Sequence, residues 1–137
     1  MKIKLFKETT QMPVKSHLPD SGLDIFVPED FTIESLETKT IGLELAVAIP
    51  EGFAGMLVPR SSIAAKGLLI QTAIIDPDYT GEIHLIITNC SKETADVKRG
   101  QRLCSLVVYS VLNAYLDVVD ELPNTDRGNK GLGSTGK

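Results

Sequence analysis

Two stretches of this 137-residue chain combine residue types that handle phosphate and water. The first is Pro59-Arg60-Ser61-Ser62-Ile63-Ala64-Ala65-Lys66-Gly67. A guanidinium fork suits phosphate oxygens, hydroxyls can donate to them, and backbone N–H groups at a helix start attract anions. By residue type alone the stretch also fits a Ser-Ser cap on a short helix. The second is Ile74-Ile75-Asp76-Pro77-Asp78-Tyr79-Thr80-Gly81-Glu82, a hairpin-like turn with carboxylates and a tyrosine. An Asp at the mouth of a site can orient a water as general base, and Tyr offers a flat face to a sugar or base. Asp-Pro and Thr-Gly are equally ordinary turn formers. Ser21-Gly22-Leu23-Asp24 carries a carboxylate into a strand, which suits either a turn or a place near the water shell of a metal. Gly100-Gln101-Arg102-Leu103 also fits a plain hairpin loop. Gly128, Gly131, Gly133 and Gly136 crowd the end of the chain without apolar periodicity. That composition fits a frayed terminus, or a flap whose amides close over an anion.

Strands must position these residues. Lysines and apolar residues interleave from Lys2 to Lys7, and large aliphatic side chains recur at every second position in Ile41-Leu43-Leu45-Val47-Ile49 and Ile83-Leu85-Ile87. Period two of this kind marks strands with one face on a core. Apolar runs at 23–27, 53–58, 69–75 and 103–109 add further strands, separated by turn signals such as Pro50-Glu51-Gly52 and Asp76-Pro77-Asp78. Many short strands at this spacing predict an all-β sandwich, barrel or jelly roll. One short helix is expected near 61–66, capped by Ser61 or Ser62.

Composition narrows the function classes. The chain is 42% apolar and 23% charged, which predicts a single folded domain. Its net charge is −4 and it has no Lys/Arg run, so direct nucleic-acid binding is not expected. A nucleotide, needing only a few cations, remains open. No apolar run approaches the ~18 residues of a membrane helix, and no signal peptide is read at the start, so a cytoplasmic protein is expected. Cys90 and Cys104 lie in apolar segments and are expected as buried free thiols; with His17 and His84 they make no zinc pattern.

Taken in order, these stretches resemble the five motifs of the trimeric dUTPase family. The first is Ser21-Gly22-Leu23-Asp24-Ile25, the second Pro59-Arg60-Ser61-Ser62 with Lys66-Gly67, and the third Ile75-Asp76 through Tyr79 and Gly81-Glu82. The fourth is Gly100-Gln101-Arg102-Leu103, and the fifth Arg127-Gly128 followed by Gly131-Leu132-Gly133-Ser134-Thr135-Gly136. The resemblance covers nearly the whole chain. It implies an antiparallel β jelly roll, a β-clip type sandwich with one short helix and a flexible glycine-rich C-terminal tail. Residues 1–124 would form the β domain and residues 125–137 the flap.

The resemblance further implies a homotrimer with shared active sites that hydrolyses dUTP to dUMP and pyrophosphate. This keeps uracil out of DNA and supplies dUMP for dTMP synthesis. Asp76 would activate a water for attack on the α-phosphorus. Arg60, Ser61 and Ser62 would serve the phosphate chain, and Arg127 would grip the γ-phosphate. Tyr79 would lie under the deoxyribose. Backbone groups near Ile75 and His84 would read uracil, with Leu132, Gly133 and Ser134 closing over the substrate. Asp24 would hold a water of Mg²⁺, itself bound mainly by the phosphates.

Three departures from the family's usual pattern stand out: Leu132 replaces a stacking aromatic; Ser105 replaces the glutamine after the fourth motif's arginine, removing an expected phosphate contact, with Gln101 in place of the common acid; and Lys130 replaces a glycine. Stacking is worth ~1–3 kcal/mol per base, so weaker binding is expected from Leu132. A related jelly-roll class, the dCTP deaminases, needs a catalytic glutamate and normally lacks this tail. An alternative is a non-catalytic or moonlighting member with a regulatory protein partner; a purely structural jelly roll leaves the tail unexplained.

Overall fold

The computed structural model describes residues 1–71 and 73–130. The strands are β1 (Lys2–Leu5), β2 (Gly22–Phe26), β3 (Phe31–Ile33), β4 (Thr38–Gly42), β5 (Leu45–Ala48), β6 (Phe53–Pro59), β7 (Leu68–Ile70), β8 (Ile74–Ile75), β9 (His84–Asn89), β10 (Ala95–Val97) and β11 (Arg102–Ser110). One short helix, α1 (Ser61–Ala64), lies between β6 and β7. All strand pairs are antiparallel. They form a four-stranded sheet β2-β11-β6-β8, a three-stranded sheet β4-β9-β7, and the pairs β1-β5 and β3-β10. This is the jelly-roll arrangement that the short, evenly punctuated strands predict.

Between the sheets lies one apolar core. Leu43, Leu45, Leu85 and Ile87 are completely buried, and Ile25, Leu103 and Leu106 nearly so. Each such side chain contributes roughly 1.5–3 kcal/mol by leaving water. Among the described residues Asn89 is the one fully buried side-chain amide; its Nδ2 donates to the carbonyls of Ile33 and Glu93, and its Oδ1 accepts from Ser91.

The alternation across 41–49 is two strands and not one. Glu44 sits at φ 56, in the left-handed region, and breaks the ladder between β4 and β5. The apolar run at 69–75 likewise divides into β7 and β8, which join different sheets. The helix is shorter than expected and is entered through Arg60; no side chain caps it, so Ser61 and Ser62 lie within its first turn. Gly67 follows it at φ +76, a conformation that a side chain would strain, and its carbonyl accepts the Cys90 N–H at 2.8 Å. Cys104 is buried as expected, but Cys90 is exposed. No described helix is long and apolar enough to cross a membrane.

β11 is the last strand among the described residues. From Leu112 to Lys130 the chain is exposed and carries no strand.

Candidate active site

Asp24 is the centre of a charge cluster built from four parts of the chain. It lies on β2, its side chain only 13% exposed. Ser105 on β11 is its direct cross-strand neighbour, and the Ser105 hydroxyl donates to Oδ1 at 2.6 Å. Oδ2 accepts from Arg102 Nη1 at 3.1 Å and pairs with Arg60 Nη1 at 3.2 Å. Arg102 Nη1 also donates to the Ser16 hydroxyl at 2.8 Å. The β2–β11 register shifts between Arg102 and Cys104, a bulge of the kind that re-aims a side chain. Arg60 is fixed by its own backbone, whose N–H donates to the Leu103 carbonyl at 3.0 Å. Two guanidinium groups on one carboxylate leave a net positive group, half-buried at the mouth of the Arg-Ser-Ser loop. That is a suitable seat for phosphate oxygens.

The carboxylate has little capacity left. With Ser105 on Oδ1 and both arginines on Oδ2, one acceptor position on Oδ1 remains, enough for a metal-bound water. Among the described residues no cluster of three or more His, Cys, Asp or Glu could hold a metal ion. The one open acceptor position on Asp24 fits contact with an ion through its water shell and not a direct multidentate site.

The second part of the site is the turn between β8 and β9. Its two limbs belong to different sheets, because β8 pairs with β6 while β9 lies between β4 and β7. Among the described residues β8 is an edge strand, paired only with β6. On β9, the Gln71 N–H reaches the Ile86 carbonyl, and among the described residues the β7 pairing does not extend along that edge to His84. Between these limbs opens a pocket of about 190 Å³, lined by Leu57, Ile74, Ile75, Tyr79, Glu82 and His84 among others. Tyr79 lies over Gly81, where an added Cβ would come within 2.8 Å of the phenol ring carbon Cζ. The Tyr79 hydroxyl donates to the Glu82 carbonyl at 2.7 Å. Asp76 stands exposed in the turn between Ile75 and Tyr79; its carbonyl accepts the Tyr79 N–H at 3.1 Å.

The structure thus groups Asp24 with Arg60, and Ile75 with Tyr79 and His84. Ser61 and Ser62 are exposed beside Arg60. Arg127 is not part of either group: its Nε donates to the Lys130 carbonyl within the tail, at 3.0 Å. Leu132, Gly133 and Ser134 lie outside the described residues. Sequence reasoning did not assign Arg102 or Ser105 to the site. The Gly-Gln-Arg motif pointed to Arg102, but only the β2–β11 register reveals that both face Asp24.

Fold and site together define a β jelly-roll protein with an Arg-Ser-Ser loop at one end of a sheet and a diverging hairpin pocket. The dUTPase family model matches residues 8–136. Similar relatives include the deoxyuridine 5'-triphosphate nucleotidohydrolases of Candida glabrata, 33% identical over all of this chain and 96% of that protein, and of Rattus norvegicus, 34% identical over 95% of this chain. The chain spans 64% of the rat protein's length. Among solved structures, Staphylococcus bacteriophage 80alpha dUTPase with dUpNHpp has a TM-score of 0.93 at 30% identity, covering 99% of this chain and 98% of that one. Its work describes phage dUTPases as controlling transfer of virulence genes by a G protein-like mechanism. A variant dUTPase from phage phi11 of S. aureus, with a TM-score of 0.82 at 29% identity over 88% of this chain and 96% of that one, is described with a structural Mg(II) ion. The chain belongs to the dUTPase family.

Proposed function

We propose that this chain hydrolyses dUTP to dUMP and pyrophosphate. The observation that carries this reading is the diverging hairpin. Ile75 on the edge strand β8 and His84 at the start of β9 line one small pocket with Tyr79, and an exposed carboxylate, Asp76, stands in the turn between them. Backbone groups read a uracil edge, and a narrow pocket rejects a methylated or differently hydrogen-bonding pyrimidine. The Tyr79 ring lies under the deoxyribose and leaves no space for a 2′-hydroxyl.

Arg60, Ser61 and Ser62 receive the phosphate chain, which carries about four negative charges. Arg102 supports Arg60 through their common partner Asp24. Asp76 takes a proton from a water as that water bonds to the α-phosphorus. The bond from the α-phosphorus to the bridging oxygen breaks, and pyrophosphate leaves. Mg²⁺, held by the phosphates with Asp24 as a partner through water, would neutralise charge on the phosphate oxygens and orient them.

The working form is a homotrimer with shared sites. Leu112, Tyr115, Leu116, Val118 and Leu122 are 83–100% exposed in a segment with no strand of its own. A monomer seldom leaves so much apolar surface in water, and a neighbouring subunit would bury it. Residues 112–124 then pack on that neighbour. Residues 125–137 form the flap, which brings Arg127 to the γ-phosphate of a site it does not reach within its own chain and closes Leu132, Gly133 and Ser134 over the nucleotide. A regulatory protein partner is a second role supported by the phage relatives. The cytoplasm is the expected compartment.

The test is pyrophosphate release with Mg²⁺ from dUTP, UTP, dCTP and dTTP. Release from dUTP alone is expected. Ammonia release from dCTP, or no turnover of any nucleotide, contradicts the reading.

A further inference from the structure

We propose that Glu82 is a positioning residue for sugar selection, its carboxylate anchoring the Tyr79 turn to the β4–β5 corner. This rests on the reading of the hairpin pocket as the nucleoside site. Glu82 works at two ends. Its carbonyl accepts the Tyr79 hydroxyl at 2.7 Å and the His84 Nδ1–H at 3.0 Å, so both pocket side chains depend on where that one peptide lies. Its side chain reaches along the β4–β9 side of the turn to the β4–β5 corner, where Oε1 accepts the Glu44 N–H at 2.8 Å.

The far end is built to receive it. Glu44 is left-handed at φ 56, so its N–H leaves the strand ladder and takes the Glu82 carboxylate as acceptor. Glu44 is itself held from the other side, by Lys7 and by the Thr10 hydroxyl at 2.9 Å. Gly42 leaves the space the carboxylate occupies: a Cβ there would lie 2.5 Å from Oε1 and 3.0 Å from Cδ of Glu82. The peptide that orients the Tyr79 phenol is held at this corner twice, by the Ile83 N–H donating to the Leu45 carbonyl at 2.9 Å and by the Glu82 carboxylate on the Glu44 N–H. The Tyr79 ring also rests against Gly81, so a shift at residue 82 moves the face on which a deoxyribose would lie.

Three variants separate this role from plain stabilisation: Glu82→Ala, Glu82→Gln and Gly42→Ala. The readout is the ratio of kcat/KM for dUTP to that for UTP. Loss of stability alone leaves this ratio unchanged in the folded fraction. Glu82→Ala is expected to lower the ratio about tenfold, mainly through a higher KM for dUTP. Gly42→Ala, which displaces the carboxylate without touching residue 82, is expected to lower it in the same way. Glu82→Gln keeps an oxygen acceptor for the Glu44 N–H and is expected to stay within about threefold of wild type. Protection of the Glu44 amide from hydrogen exchange should fall in Glu82→Ala and Gly42→Ala and persist in Glu82→Gln. An unchanged ratio in Glu82→Ala, or equal damage from Gln and Ala, overturns the role of Glu82 while the dUTP reading stands. A wild-type protein inert towards dUTP overturns the pocket reading and the selective role with it.

Discussion

The Ser105 hydroxyl donates to Asp24 Oδ1 at 2.6 Å, on the side of the carboxylate that the arginines leave open. The two residues are cross-strand partners on β11 and β2, so the contact is set by sheet register. A serine at this position, where the family usually has glutamine, stiffens a carboxylate that in turn aligns Arg60 and Arg102.

Asp24→Asn is therefore predicted to damage both stability and turnover. It leaves two guanidinium groups without their counter-charge. Breaking a fully buried pair costs about 3–5 kcal/mol, and with both arginines about one-third exposed a loss of about 2 kcal/mol is expected. Ser105→Ala removes a single hydrogen bond and should cost about 1 kcal/mol. Denaturant titration of the two variants checks the order; equal stability of Asp24→Asn and wild type would contradict the cluster's role.

Arg127 predicts a complementation result. If it serves a neighbour's site, Arg127→Ala subunits and Asp76→Asn subunits should each be inactive alone. Mixed trimers would contain sites with both residues intact and should regain a measurable part of wild-type dUTP turnover. Mixing with no recovery would place both residues in the same subunit's site.

The two cysteines should differ in reactivity. Burial pushes the Cys104 thiol up to about 12, with the Asp24 charge adding to it. Cys90 is exposed. At pH 8 iodoacetamide is expected to add one carbamidomethyl group to the native protein, at Cys90, and two after unfolding. Modification of Cys104 in the native state would show that β11 opens.

Acid should weaken the N-terminal corner and the β10–β11 turn. Hydrogen bonds from Lys7 and then Thr10 hold Glu44 below its ordinary 4.5, and the Arg99 N–H, followed by Lys98, holds Asp30 below 3.8. Both carboxylates are lowered on folding, so their contribution is complete above those ordinary values and is lost as pH falls through the lowered ones. Melting temperatures measured from pH 6 to pH 2 should fall less steeply for a Glu44→Gln, Asp30→Asn double variant than for wild type. Parallel acid limbs would contradict this.

Much of this fold is legible in the sequence because alternation is strong where one face is buried, as in Leu85 and Ile87 on β9. β3 and β10 were not, since three residues such as Ala95-Asp96-Val97 carry too little period to stand out. The break at Glu44 was hidden because the apolar spacing continues across it, although the backbone turns there. For the site, residue types picked out Asp24, Arg60, Asp76 and Tyr79. The partners of Asp24 were not legible, because Arg102 and Ser105 lie 78 and 81 positions away and only the β2–β11 pairing makes them neighbours. Glu82 read as a turn residue, since its anchor, the Glu44 N–H, is a backbone group that no side-chain pattern announces.

The central claim, hydrolysis of dUTP with Asp76 activating the water, is tested most directly by one comparison. Pyrophosphate release from dUTP is measured for wild type and Asp76→Asn, together with binding of dUpNHpp. Wild type should release pyrophosphate, while Asp76→Asn should bind the analogue within about threefold of wild type yet lose at least ~100-fold in kcat. Turnover by Asp76→Asn close to the wild-type rate would contradict the account.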